Sequence, residues 1–493
     1  FTIDEFVREG QKRHLTVSAM SSIDGFFEDE HINARKFFRD DTHPDIGEYL
    51  TTGAPYIFSD TPWASQRPAP TLGQHTKEVL AEAPKPAKSR AAVDTPAING
   101  GPLSGVRIVD FARVWAGPYA TRYLGDLGAE VIKIENENFL DGGRISTNSN
   151  HMFPEINRNK LGVTVNFRKA DGANLIRELV SVSDVVLDNF ASGVLARRGL
   201  GYEDLRKIRP DIIMISMPGY GNDGPYSEYV AYGQSLMAYA GLALLWGFPD
   251  SPVDTRPNVH YSDFISAAHG SFALMAALEH RAQTGQGQYI EIPQSETLAA
   301  TMGVALLDHS VNGRSWEPIG NRHPSFAPHG CYPCRGEDQW CAISCLTAEH
   351  WQSLCKAIDA PELALDPSFD SLNARLQNQD ALDEIIGVWT KQFTPYQVMW
   401  MLQGVGVPAG VAQSGEQLYH DMNLRSRNFI LRIEHSGWRT LEHSGITVKL
   451  SETPGAIVRG LPGLGQHNTL IFGDLLGVEE SELERMASEG ALA

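Results

Sequence analysis

What most constrains this 493-residue chain is a repeat with a very long period. Ser59-Asp-Thr-Pro62 returns as Ser451-Glu-Thr-Pro454, and Leu72-Gly-Gln-His75 as Leu464-Gly-Gln-His467, both 392 residues further on. The same offset pairs Asp29 with Asp421, Arg35 with Arg427, Phe37 with Phe429, His43 with His435 and Gly53 with Gly445. Stacked-repeat proteins have periods of about 20–50 residues, so a period of this length is a whole enzyme rather than a solenoid unit. Residues 1–82 therefore read as the C-terminal tail of an upstream copy. Residues 83–102, rich in Pro and Ala, read as a linker, and 103–493 as one complete copy. The expectation is a numbering that begins inside a longer tandem protein.

Within the complete copy, strand patterns alternate with helical ones. Val106–Phe111, Glu130–Glu135, 162–166, 184–188, 211–216 and 288–293 read as strands. Helices are expected after Gly117-Pro118 and over 170–182, 264–281 and 478–489. That alternation predicts an α/β fold with a doubly wound, Rossmann-like parallel sheet. The expected division is a large domain over 103–324, a smaller α+β domain over 325–435, and a return to the large domain over 436–493. A dinucleotide site would need G-x-G-x-x-G after the first strand. The chain has Ala112-Arg-Val-Trp-Ala-Gly-Pro118 there, which argues against a nicotinamide dehydrogenase.

Charge narrows the partners. Lys and Arg total 41 against 60 Asp and Glu, a formal net charge of −19. Such a surface repels nucleic acid and anionic membranes, while leaving room for one anionic ligand in a local basic pocket. No apolar run reaches the ~20 residues of a membrane span, and the first residues lack a signal-peptide core, so the expected location is cytoplasmic. All five cysteines lie between Cys331 and Cys355. CYPC followed by CAISC could hold zinc, but CAISC is strand-like and lacks a knuckle glycine. The preferred reading is a β-hairpin turning at Gly336-Glu337-Asp338, with no metal.

Five segments then carry a resemblance: LSGVRIVDFARVWAGPYATRYLGDLGAEVIKIE, NRNKLGVTVNF, DVVLDNFASGVLARRGLGYEDL, MPGYGNDGPYSEYVAYG and GNRHPSFAPHGCYPC. In this order, across about 390 residues, they resemble the family III CoA-transferases. The resemblance implies a large Rossmann-like domain, a small domain, and two copies interlocked as a pair, either with the upstream copy or as a homo-oligomer. It implies no permanently bound cofactor, with CoA or acetyl-CoA as co-substrate. It places the nucleophile at Asp263, the start of a long helix. Residues alone leave Asp263 either as an N-cap or as a carboxylate held ionised by a helix N-terminus. By position, the CoA contacts fall on Val114, Trp115, Ala116, Lys160, Asn189, Phe190, Arg197 and Tyr232. Arg198 beside Arg197 is a further phosphate candidate or a solvated surface charge.

Departures from the family narrow the reaction. The racemase His and Glu positions hold Tyr232 and Thr347, which disfavours proton transfer at the α-carbon. Residues 322–330 lack the glycine run of formyl-CoA transferases. Asn136 stands where those enzymes carry Arg, and Trp115 where they carry Gln. Trp115, with Trp246 as a second aromatic face, suits an onium acid through cation–π attraction; core packing is the plain alternative for both. The leading expectation is acetyl-CoA:dimethylsulfoniopropionate (DMSP) CoA transfer followed by β-elimination of dimethyl sulfide, because the DMSP transferase/lyases are also tandem fusions. Carnitine- or crotonobetaine-type transfer without the lyase step is one alternative. A catalytically silent copy that only completes the fold is the other.

Overall fold

The computed structural model describes residues 1–64, 67–82, 101–145, 152–252, 259–435 and 439–492. The linker expected over 83–102 lies outside the described residues except for its last two positions. The described chain forms two compact units. One comprises Phe1–Leu244, Pro257–Trp316 and Leu431–Ala493, the other Leu245–Arg256 and Glu317–Ile430.

The first unit is built on a seven-stranded sheet: β1 (Ile57–Phe58), β2 (Arg107–Asp110), β3 (Glu130–Glu135), β4 (Lys160–Thr164), β5 (Val185–Asp188), β6 (Ile213–Ser216) and β7 (Tyr289–Glu291). Their order across the sheet is β1-β7-β6-β5-β2-β3-β4. The six strands β2 to β7 are parallel, and β1 joins β7 antiparallel, with Ile57 opposite Glu291 and Phe58 opposite Ile290. Strand order thus reverses between β2 and β5, the switch point where the carboxyl ends of a doubly wound sheet open a crevice. The strands read as continuous apolar runs because both faces are covered. Ile108, Val131, Val185, Ile213 and Ile290 pack into one layer, with Ala120 and Leu124 of α1 (Ala116–Asp126) and Ala273 and Leu274 of α2 (Tyr261–Thr284). Val109, Ile132, Val163, Val186 and Met214 face the opposite layer with Leu175, Ile176 and Leu179.

The segment before the linker packs on this unit. Arg35, whose side chain is 1 % exposed, pairs with Glu296, Asp223 and, at 2.9 Å, Glu291. Gly221 has φ +100°, and a Cβ there would lie 2.3 Å from the Arg35 guanidinium, so only glycine leaves room for it. The Tyr226 N–H donates to His31 Nδ1 at 3.0 Å, which leaves His31 Nε2–H to donate to the Tyr220 carbonyl at 2.6 Å.

The C-terminal part is tied in by a second buried histidine chain. The Leu461 N–H donates to His435 Nδ1 at 3.0 Å, so His435 Nε2–H donates to His443 Nε2 at 2.8 Å. His443 Nδ1–H then donates to Glu155 at 2.8 Å. Burial, and His443 beside it, hold the His435 imidazole neutral, with its pKa down at about 4.

The second unit holds a three-stranded antiparallel sheet, His329–Pro333, Trp340–Ser344 and Ala409–Ala412. The first two strands are the expected cysteine hairpin, with Cys331 opposite Ala342 and Tyr332 opposite Cys341. Tyr332, Ile343, Trp351, Leu354, Leu382 and Leu402 form its core. No helix among the described residues is long and apolar enough to cross a membrane.

Candidate active site

The site starts from the turn that joins β2 to α1. A Rossmann fold would place a glycine-rich loop here; this chain instead fixes an ordinary sequence with side chains from below. The Ala112 N–H donates to Asp110 at 2.9 Å, and Lys133 Nζ donates to the Ala112 carbonyl at 2.9 Å. Asn189, just past β5, accepts from the Arg113 N–H and donates to the Arg113 carbonyl, both at 2.8 Å. The Val114 N–H lies 3.2 and 3.3 Å from the two oxygens of Asp141. Lys160 Nζ donates to the Pro118 carbonyl at 2.9 Å. Held this way, Val114 adopts φ +67°, a left-handed conformation that a β-branched residue accepts only when its surroundings impose it.

The turn lies against the helix that carries a buried carboxylate. Asp263 sits in the first turn of the 24-residue helix α2 and is only 9 % exposed. Burial pushes its carboxyl up to about 7, opposed by the N–H groups of Ala116 and of Asp263 itself. Gly233 is the floor on the other side: a Cβ there would lie 2.2 Å from Asp263 Oδ2. An aromatic group borders this point. Phe264 lies edge-on to Trp115 at 5.3 Å, with Tyr119 at 6.2 Å and His260 at 6.3 Å from the same indole. The Trp115 indole N–H is buried and has no partner among the described residues.

Arg113 of the same turn lines a cavity of 420 Å³ at the carboxyl ends of β2, β3, β4 and β5. Arg113, Arg168, Arg197 and Arg198 line it, with Phe139 and Phe190 among its apolar walls. Its two carboxylates are already matched: Glu135 receives two hydrogen bonds from Arg144, at 2.8 and 2.6 Å, and Asp141 pairs with Lys133 at 3.1 Å. None of the four arginines has a carboxylate within ion-pair distance among the described residues. The cavity is therefore strongly positive inside an acidic protein, and four fork-shaped donors suit phosphate oxygens. Arg113 also stacks on Phe139 at 4.2 Å and donates to the Leu140 carbonyl.

Of the residues expected from sequence, Phe190, Arg197 and Arg198 line the cavity, and Val114, Trp115 and Ala116 follow the cavity-lining Arg113 in the turn before α1, with Trp115 packed on Phe264 beside Asp263. Asn189 grips that turn. Tyr232, 55 % exposed, precedes the helix Gly233–Tyr239 and therefore stands next to the glycine under Asp263. Asn136 is in the cavity wall. Lys160 is elsewhere: its ammonium is fully buried beneath α1, bonded to Asp110, Asn157 and Pro118 at 2.9 Å each, which leaves it supporting the turn. Trp246 belongs to the second unit and is 37 % exposed.

Sequence reasoning missed Arg113, Phe139, Asp141 and Arg168. Arg113 and Arg168 each follow closely on the end of an expected strand, and a basic residue just past a parallel strand's carboxyl end is the signal that would have found them. Arg197→Ala is expected to raise the KM for a phosphate-bearing substrate about 10- to 100-fold, with kcat changed little, because it removes one of the cavity's four guanidiniums. Steady-state kinetics at two salt concentrations check this, the loss being larger at low salt.

The family model for CoA-transferase family III matches residues 1–76 and 103–468. The chain is 33 % identical over 393 residues to a succinyl-CoA–D-citramalate CoA-transferase of Chloroflexus aurantiacus, covering 79 % of this chain and 97 % of that one. It is 30 % identical over 501 residues to a protein of Mycobacterium tuberculosis named a probable CoA-transferase; the match covers 99 % of this chain and 62 % of the longer protein. Among solved structures, a CAIB/BAIF family protein from Brucella suis aligns with a TM-score of 0.69 at 30 % identity, over 76 % of this chain and all of that one.

Proposed function

The chain belongs to CoA-transferase family III, whose members are enzymes that use CoA thioesters as co-substrates, and from that premise we propose that it moves CoA from an acyl-CoA to a second carboxylic acid through Asp263. The observation that carries this reading is a buried carboxylate at a long helix's N-terminus, facing an N–H from the same turn that walls the arginine-lined cavity. In the proposed cycle an Asp263 oxygen attacks the donor's thioester carbonyl. The carbon–sulfur bond breaks, giving a mixed anhydride and CoA thiolate. The thiolate attacks the aspartyl carbonyl, releasing the donor carboxylate and leaving an aspartyl-CoA thioester. The acceptor carboxylate then displaces CoA to form a second anhydride. Attack by CoA thiolate on the acceptor's carbonyl completes the thioester and restores the Asp263 carboxylate. Each hard step is divided in two by the covalent nucleophile, and N–H groups near Asp263 suit the oxyanions that form.

The acceptor class favoured by similarity is a dicarboxylic acid such as citramalate, with succinyl-CoA as donor. A second reading rests on the aromatic wall of Trp115, Phe264 and Tyr119, which suits an onium carboxylate. With DMSP as acceptor, loss of the α-proton from the new thioester would expel dimethyl sulfide, and hydration would give 3-hydroxypropionyl-CoA.

Chromatography of CoA species tests both readings. Succinyl-CoA with citramalate and acetyl-CoA with DMSP or carnitine are the pairs to run, with dimethyl sulfide measured in the headspace. A borohydride- or hydroxylamine-trapped modification at Asp263 should accompany any exchange. Exchange with dicarboxylates alone removes the onium reading. Exchange that survives Asp263→Ala would leave this copy as the silent partner of a tandem pair.

A further inference from the structure

We propose that Asn189 and Asp141 are positioning residues for the nucleophile: together they hold the Arg113–Ala116 turn in a left-handed backbone shape that seats it against the start of the helix carrying Asp263. The inference rests on the reading of Asp263 as nucleophile and assigns what makes that carboxylate usable.

Asn189 satisfies Arg113 as a neighbouring strand would, accepting from its N–H and donating to its carbonyl, both at 2.8 Å. The next residue, Val114, is the strained one, at φ +67°. Its N–H is taken by Asp141, a side chain that no motif marks and that is 2 % exposed. Asp141 is itself locked, accepting from the Gly143 N–H at 3.0 Å and from Lys133 Nζ at 3.1 Å. Burial works against its charge, but Lys133 and the N–H groups of Gly143 and Val114 outweigh it and keep it ionised. Lys133 closes the ring by donating to the Ala112 carbonyl. With either clamp removed, less opposes the relaxation of Val114 to negative φ, which costs a β-branched residue about 1–2 kcal/mol to resist. That rotation turns the peptides that follow, and the Ala116 N–H leaves Asp263.

The consequence is electrostatic. Two N–H groups are all that offsets burial at Asp263, one from Ala116 and one its own. Charged groups on the elements packed against α2 are engaged elsewhere: Arg122 of α1 with Asp126 and Glu155, and Glu296 of the helix Gln294–Ala300 with Arg35. Tyr239 of the helix Gly233–Tyr239 donates to Asp29. Tyr119 of α1 and His260 at the start of α2 border Trp115, and Tyr232 precedes the glycine under Asp263; none of the three is among the causes of the Asp263 shift. Loss of the Ala116 N–H should therefore lower the ionised fraction of Asp263 at neutral pH with nothing to compensate.

The experiment compares the pH dependence of kcat/KM for Asn189→Leu, Asp141→Asn and the unaltered protein, with Asp263→Asn as control. For Asn189→Leu the rising limb should move up by about one pH unit, and kcat at pH 7 should fall about 10-fold or more, recovering in part by pH 9. The KM for the acyl-CoA should stay within about two-fold. Asp141→Asn keeps the shape and one acceptor, so its limb should move in the same direction by less. If Asn189→Leu fails to fold by circular dichroism, Asp141→Asn decides. A limb that stays in place, with the loss confined to KM, overturns the proposal and makes Asn189 a CoA contact. An active Asp263→Asn overturns the nucleophile itself, a result distinct from an inactive Asp263→Asn beside an unmoved limb.

Discussion

Asp263→Asn should abolish CoA transfer, with a loss of at least about 10³-fold, while making the folded protein more stable at alkaline pH. The first effect follows from removing the proposed nucleophile. The second follows from burial. The carboxyl is raised from 3.8 to about 7 in the fold. Below pH 4 the folded and unfolded states both hold the proton, and this group is neutral in the balance. Between pH 4 and 7 the unfolded chain has lost it and the folded one has not, so stability falls as pH rises. Above pH 7 the whole penalty is present, on the order of 4 kcal/mol for a fully desolvated group. The amide carries no such charge. Thermal melts at pH 5 and pH 8.5 should give a Tm difference that opens in favour of Asp263→Asn as pH rises. Equal melts at both values would mean that the carboxylate is well solvated and its burial costs the fold nothing. A buried carboxylate that destabilises its own fold is what a site held for reactivity would show.

Arg35→Met should cause the largest loss of stability among single changes outside the site. Arg35 is the sole cation facing Glu291 and Glu296 among the described ion pairs, and the side chains of those two are 11 % and 4 % exposed. Removing one partner of a buried ion pair costs about 3–5 kcal/mol, because the remaining charge stays buried without compensation. The pH dependence has a definite sign. Burial already lifts Glu296 to about 7, with Arg35 pulling it down. Without Arg35 it would climb further, remain protonated through neutrality, and oppose folding most strongly where it must ionise. The deficit should therefore be larger at pH 8 than at pH 5.5. Melts at the two pH values, with limited proteolysis of residues 1–82, check this. Arg8, paired with Glu30 on the surface at 57 % and 51 % exposure, makes the control, with an expected change within about 0.5 kcal/mol.

The six parallel strands of the first unit were legible because apolar runs in a doubly covered sheet leave a plain trace; the short edge strand β1 was not expected. Glu130–Glu135 is found as expected, and the others fall within about two residues. The long helix begins at Tyr261 rather than 264, and those three residues matter, because they put Asp263 inside the first turn. Strand order was not legible, since it depends on pairings between residues such as Ile108 and Val185, far apart in the chain. For the site, what could be read was whatever a motif carries: Asp263, the Val114–Ala116 turn, Phe190 and the Arg197-Arg198 pair. Asp141 and Phe139 were invisible for a physical reason. Each is a single residue in a loop whose role exists only once β3 and the turn after β2 are side by side. Lys160 shows the converse: a lysine at a matching position whose ammonium the fold spends entirely on Asp110, Asn157 and Pro118.

The short strand β1 has a bearing on how such a protein survives in crowded solution. A parallel sheet closed on one side by β7 would expose a row of unpaired amides and carbonyls, a template for sticking to any passing extended chain. Two residues, Ile57 and Phe58, cover that row, and the Ser59 N–H donates to the Tyr289 carbonyl just beyond them. The segment ahead of the linker thus doubles as a guard against aggregation. Cutting the chain at residue 103 to isolate one tidy enzyme unit would strip that guard away, so the gain in simplicity would come with a loss of solubility.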